Sequence, residues 1–285
     1  MTEAIGGAGP AEQLFTAAIL ASAAAIWLSP GAAVGLLLLA ALAGLASGLV
    51  APSGLLVLAV FAAGCALHGR GRPGLALWIA LATAAALMFL HLAPGFESLR
   101  VIGPERIGAG AEYEKWIALD KVGAGILLLA LALPEISRRG GLGPALRRAG
   151  PVMVITAIGV PSLAFFAGVL ELDVTPGGFI LWAVFNLLTV CLPEEALFRG
   201  LLQTRLVRQS SSRGLSPHPA IAASAVIFGL AHAPGGLALI LASAIAGLGY
   251  GYAYWLSGRI EAAILCHFCL NAVHYLFFTY PYPAA

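Results

Sequence analysis

FILWAVFNLLTVCLPEEALFRGLLQT, residues 179–204, is long enough to cross a bilayer yet carries three charges near its middle. A spanning helix needs about 20 mostly apolar residues. An ionisable group at membrane depth is costly enough to mark a functional site by default. On a helix, Glu195 and Arg199 are four residues apart, on one face and in the favourable acid-before-base order. Pairing lowers the cost of burying either. Glu194 lies about 100° round the helix from its neighbour. One carboxylate therefore reads as structural and the other as chemical. The competing account is an architectural network in which both acids balance Arg199.

The rest of the chain has the same character. Of 285 residues, 60% are hydrophobic and only 10% charged, with a mean hydropathy of +0.95. A soluble domain carries about 25% charged residues. The composition therefore predicts an all-α polytopic membrane protein, a bundle of about 8–10 transmembrane helices. The net charge of +2 says little, and no basic run interleaved with aromatics suggests nucleic-acid binding. Cys65, Cys191, Cys266 and Cys269 all lie in apolar stretches, where cysteine packs as a small hydrophobe. Met1 to Pro10 lacks the basic start of a cleavable signal peptide, so the first apolar segment reads as a retained span.

Breaks at Gly, Pro and charge predict segments at 11–29, 32–50, 54–68, 74–93, 120–136, 151–170, 179–204, 219–233, 237–257 and 259–280. The third, fifth and eighth are short. The basic residues fall in four connections: Arg70 with Arg72; Arg138, Arg139, Arg147 and Arg148; Arg205, Arg208 and Arg213; and Arg259. This map puts all four on one side, which the positive-inside rule makes cytoplasmic. Glu171, Asp173 and the mixed loop 95–119 take the other side, which leaves room for a lid or docking role in that loop. Asp120 is placed to cap a helix start. In domain terms, 1–150 reads as an amino-terminal transmembrane extension with its outer loop, and 151–285 as a catalytic core.

Two further clusters follow the first. Phe228 and His232 share a helix face, and so do His267 and Asn271. A lone buried histidine is usually a hydrogen-bonded core residue; two, with an amide and an acidic pair, form a constellation. Burial raises the pKa of a carboxylate and lowers that of an imidazole, bringing both towards neutrality. Such a carboxylate suits general-base work on water. Neutral imidazole and amide N–H groups suit an oxyanion hole. The set is able to hydrolyse an amide bond. No His-Glu-x-x-His occurs, and no aspartate lies well inside a span, which removes the zincin helix and an aspartyl dyad. His232 ends its short segment, so the map predicts that the turn Pro234-Gly235-Gly236 sinks to membrane depth beside a wet chamber.

Glu-Glu-x-x-x-Arg, Phe-x-x-x-His and His-x-x-x-Asn, in this order on successive apolar segments, resemble the CAAX-protease and bacteriocin-processing family of glutamate-type intramembrane proteases. The resemblance covers about residues 179–278. It implies Glu194 as catalytic base, His232 as an aid in holding the attacking water, and His267 with Asn271 as the oxyanion hole. Glu195 and Arg199 would order the site and Phe228 would shape its wall. Glu194, His232 and His267 are also able in principle to bind zinc, but the reading favoured is metal-free and without cofactor. The implied partner is a membrane-associated protein or peptide substrate in a lipid bilayer. The Ala/Gly/Leu/Arg-rich composition points to a bacterial plasma membrane. Two rival readings are a proton-coupled transporter, which predicts an inverted repeat not seen in the sequence, and a catalytically silent immunity or scaffold protein.

Overall fold

The computed structural model describes residues 8–71, 74–133, 141–174 and 177–284. A helix stands at each of the ten predicted segments. They are α1 (Pro10–Ala25), α2 (Pro30–Ser47), α3 (Pro52–Gly69), α4 (Leu75–Phe89) and α5 (Leu119–Leu127, continued by a π turn over Leu128–Ala132). After these come α6 (Leu142–Phe166), α7 (Phe179–Ser212), α8 (His218–Leu230), α9 (Gly236–Ser257) and α10 (Ile260–Phe277). Prolines at the first helical position open α1, α2 and α3, where the missing N–H would have no partner anyway. Six helices among the described residues are long and apolar enough to cross a membrane, and α4 and α8 are shorter apolar ones. Large apolar side chains such as Leu56, Phe166 and Ile180 stand exposed on helix surfaces, as lipid-facing residues do. The protein is an all-α, multi-pass membrane protein.

Three expectations change in detail. The third segment, α3, is 18 residues long and meets the length of a span. α6 starts at Leu142, not at Pro151, so Arg147 and Arg148 lie within it. Ala145 and Ala149 bury one face there while both arginines stay exposed, which carries the helix on beyond its apolar run. α7 likewise runs on to Ser212 and takes in Arg205 and Arg208. Arg72, Arg138 and Arg139 lie outside the described residues.

The loop 95–119 contains a two-stranded hairpin, β1 (Leu99–Arg106) and β2 (Glu112–Ile117). In β2 Tyr113, Lys115 and Ile117 are the more buried alternate residues, and Glu112, Glu114 and Trp116 are exposed. That period of two is a half-buried strand. Its charges had disguised it as a solvated loop.

The chain forms two compact units that interleave in sequence. The first takes described residues within 1–105, 114–137 and 188–197, and the second those within 106–113, 138–187 and 198–285. In the first unit α1 packs on α2, and α5 packs against α3 and α4. Phe15, Leu37, Phe61, Met88 and Ile126 are buried there. The start of the hairpin is tied to the α2–α3 connection by Ala51 N–H to Gly95 O at 2.9 Å and Glu97 N–H to Leu49 O at 2.9 Å. In the second unit α6, α8, α9 and α10 pack together. Trp182 and Tyr275 stack at 4.3 Å within an aromatic centre. The hairpin tip joins this unit: Ala109 N–H donates to Asp173 Oδ2 at 2.7 Å, and Ile107 pairs with Tyr280.

Candidate functional site

α7 is not a uniform helix. Pro193 has no N–H to donate back along the helix, and wide π turns flank it at Leu187–Cys191 and Ala196–Gln203. Such turns within α-helices recur at functional sites. Between them Leu192–Glu195 carries the acidic pair, with Glu194 and Glu195 both buried.

In the first unit Glu194 has a partner that the sequence reading did not assign. Lys121 Nζ donates to Glu194 Oε1 at 2.7 Å. The ammonium also lies 5.7 Å from the centre of the Phe89 ring, close enough for a cation–π contact. Asp120 is not the helix cap, because α5 begins at Leu119 with Ala118 before it. Its carboxylate, only 1% exposed, takes the Lys121 backbone N–H at 2.7 Å and faces His91 Nδ1 at 3.0 Å. His91 holds a positive φ of 55° to do so, a conformation that costs a non-glycine residue about 1–3 kcal/mol. Lys121 was legible in principle. A single ammonium at the end of an apolar segment needs a buried counter-ion, and Glu194 is one.

Gly125 sets the approach of α5 to α7. A Cβ added there would fall 2.5 Å from both Cα and Cβ of Pro193, the residue before Glu194. Neither atom is able to swing aside. Gly125→Ala is therefore expected to cost about 1–3 kcal/mol by overpacking, read as a lower Tm in detergent. An unchanged Tm would show that the two helices separate freely.

Lys115, on the inward face of β2, is half-buried. Burial first, and then the Lys121 ammonium, push its pKa from 10.5 down to about 8, against a smaller opposite pull from Glu194. The folded pKa thus lies below the unfolded one, so the unfolded chain binds more protons between about 8 and 10.5. The charged Lys115 destabilises fully below about 8, and that cost fades as pH rises through this window. Lys115→Met is expected to stabilise the protein at neutral pH by about 1–3 kcal/mol. The gain should shrink between pH 8 and 10.5. Thermal melts across that range check both signs.

In the second unit the other predicted residues gather on aromatic rings. Arg199 is fully buried, with its guanidinium carbon 4.6 Å from the Phe228 ring centre and 5.2 Å from that of Tyr250. Its Nη2 donates to Gly247 O at 2.9 Å. Gly247 leaves the room: a Cβ there would lie 3.1 Å from Nη2. His267, 4% exposed, stacks on Tyr250 at 4.5 Å and 14°, with the Phe228 ring edge-on at 5.8 Å. α8 ends at Leu230, so His232 lies just beyond it, in front of a 3₁₀ turn over Ala233–Gly235. The ring nevertheless returns to Phe228, 4.7 Å between centres, with Nδ1 2.8 Å from the Phe228 carbonyl. A carbonyl only accepts, which assigns the hydrogen to Nδ1 and leaves Nε2 as acceptor in neutral imidazole. Asn271 Nδ2 donates to Asn186 Oδ1 at 3.2 Å. Phe228 thus brings Arg199, His232 and His267 together, and Asn271 is anchored to Asn186 of α7. Tyr250, Gly247 and Asn186 went unread, since a span's sequence gives a ring, a glycine or one amide no distinguishing mark.

Among the described residues no three His, Cys, Asp or Glu side chains are grouped to hold a metal ion.

Fold and polar residues together define a multi-pass helical membrane protein with buried acidic, basic and amide groups on its last helices. The family model described as "Type II CAAX prenyl endopeptidase Rce1-like" matches residues 176–273. Over that segment the chain is similar to the CAAX-protease family that its motifs resembled, and all seven predicted site residues fall inside the match. No curated protein and no solved structure matches the chain.

Proposed function

We propose that the protein is an endopeptidase that cuts a membrane-associated protein or peptide with a water activated by Glu194. The carboxylate takes a proton from water, the water oxygen adds to the scissile carbonyl carbon, and the proton passes to the leaving amine. His232 helps hold and activate that water. His267 and Asn271 donate to the oxyanion of the tetrahedral intermediate. Glu195 and Arg199 order the site, and Phe228 forms its wall. The observation that carries this reading is the family match over all three motifs. Local order supports it, because preorganised donors cost no reorganisation during reaction. Lys121 fixes one oxygen of Glu194, Tyr250 holds the His267 ring flat, and Asn186 anchors Asn271. No cofactor is called for, and we place the protein in a bacterial plasma membrane with its basic connections cytoplasmic.

The test is a comparison of peptides released in cells that carry the wild-type protein or Glu194→Ala. Fragments present only with the wild type identify the substrate and its cleavage position. Identical fragment sets, with both proteins expressed equally, would overturn the proposal.

A further inference from the structure

All seven site residues read from the sequence lie within the matched segment 176–273, yet Glu194 is held from outside it. Lys121 belongs to α5, and its Nζ donates to Glu194 Oε1 at 2.7 Å. Three features of the first unit bring the ammonium there. On α5, Lys121 and Gly125 are four residues apart and share a face. Gly125 has no room for a Cβ against Pro193, the residue before Glu194. The two helices therefore touch one turn beyond Lys121, and its side chain falls beside the carboxylate. The Phe89 ring of α4, 5.7 Å from Nζ, adds a cation–π contact. Asp120, only 1% exposed, accepts the Lys121 backbone N–H at 2.7 Å and faces His91 Nδ1 at 3.0 Å. It thereby ties the first turn of α5, from which Lys121 projects, to the segment after α4.

Charge balance alone does not account for this arrangement. The Lys121 and Glu194 side chains are 22% and 9% exposed, so both ions are largely withdrawn from water. Well-packed apolar residues in place of such a pair are often as stable or more so. His91 reaches Asp120 from a left-handed backbone, φ 55°, which also works against stability in a residue with a Cβ. Both features converge on one carboxylate. A glutamate side chain turns about several bonds, whereas a general base must meet its water in one geometry. A charge-assisted hydrogen bond is about twice as strong as a neutral one, and at 2.7 Å it holds the carboxylate by one oxygen.

We propose that Lys121 is a positioning residue for the reaction, an ammonium supplied from outside the matched segment that fixes the orientation of the Glu194 carboxylate. The Asp120–His91 pair holds the turn that carries it. This rests on the reading of Glu194 as the catalytic base.

The test uses the full chain in phosphatidylcholine nanodiscs and an internally quenched peptide built around the bond that the cellular comparison maps. Lys121→Met is expected to lower kcat about a hundredfold, as a misplaced catalytic group does. KM should change less than about twofold, because the lost interaction is not one with bound substrate. A merely structural lysine would lower Tm and leave kcat of the folded protein at the wild-type value. Lys121→Cys gives a second variant in which the charge is restored chemically. Alkylation with 2-bromoethylamine returns an ammonium at nearly the reach of lysine and should recover most of the lost kcat, whereas iodoacetamide should not. Wild-type protein treated alike controls for the native cysteines, of which Cys65, Cys191 and Cys266 are buried. Wild-type kcat in Lys121→Met, a loss confined to KM, or equal recovery with both reagents would overturn the proposal. Glu194→Gln separates the two ideas. Cleavage by Glu194→Gln, or no bond mapped in cells, would sink the catalytic reading and this one with it. A dead Glu194→Gln beside a fully active Lys121→Met would sink this one alone.

Discussion

Glu194→Gln should lower peptide-bond cleavage about a hundred- to ten-thousandfold, the range a general base contributes, with the fold left intact. The substitution keeps shape and keeps an oxygen for the Lys121 ammonium, which now lies 2.7 Å from Oε1. It removes the one property the mechanism requires, a lone pair basic enough to take a proton from water. Tm should therefore stay close to that of the wild type while product release, read by mass spectrometry, disappears. Glu195→Gln makes the contrast. Glu195 is fully buried on the same turn, and as a supporting group it should lose stability and keep a larger share of the rate. A Glu194→Gln protein that still cuts, or a Glu195→Gln protein that is the deader and the more stable of the two, would reverse the assignment of the two acids.

The helices were readable because apolar runs broken by Gly, Pro and charge are what a bilayer demands, and a helix stands at each of the ten predicted segments. Their ends were not readable, because a helix that leaves the apolar layer continues for as long as a small face is buried. Ala145 and Ala149 do this beneath Arg147 and Arg148. The hairpin was missed for a related reason. In Glu112-Tyr113-Glu114-Lys115-Trp116-Ile117 the outward charges hide the inward row. Among site residues, Glu194, Arg199, His232, His267 and Asn271 stood out as polar groups set in hydrocarbon. Lys121 did not, because it sits at the edge of a segment and pairs with a carboxylate 73 positions away. The neighbouring Asp120 was given a local role as a cap, which hid the pair. Partners brought by packing alone, such as Tyr250 beneath His267, leave no trace in spacing.

Arg199→Lys should be nearly as damaging to stability as loss of the charge altogether, and this tests what holds the second unit's site in shape. The guanidinium is fully buried, lies over Phe228 at 4.6 Å and Tyr250 at 5.2 Å, and donates to the Gly247 carbonyl at 2.9 Å. Each ring contact is worth about 0.5–2 kcal/mol, and a charged hydrogen bond about 1.5–3 kcal/mol. Lysine keeps the charge but loses the planar face and the fork that make these contacts together. A loss of about 2–4 kcal/mol follows, with non-additivity holding it below the plain sum. Arg199→Met keeps the packing volume and removes the charge, so it measures the electrostatic share. Function should fall in step, because the Phe228 ring that carries Arg199 also touches His232 and His267. A shifted Phe228 moves both imidazoles, and a misplacement of about 1 Å is able to cost a hundredfold in rate. Arg199→Lys is thus expected to lower both Tm and kcat, with KM changed least. A wild-type Tm for Arg199→Lys beside a large loss for Arg199→Met would show that charge alone is needed. The stacked rings would then be packing around Arg199, with no part in positioning the histidines.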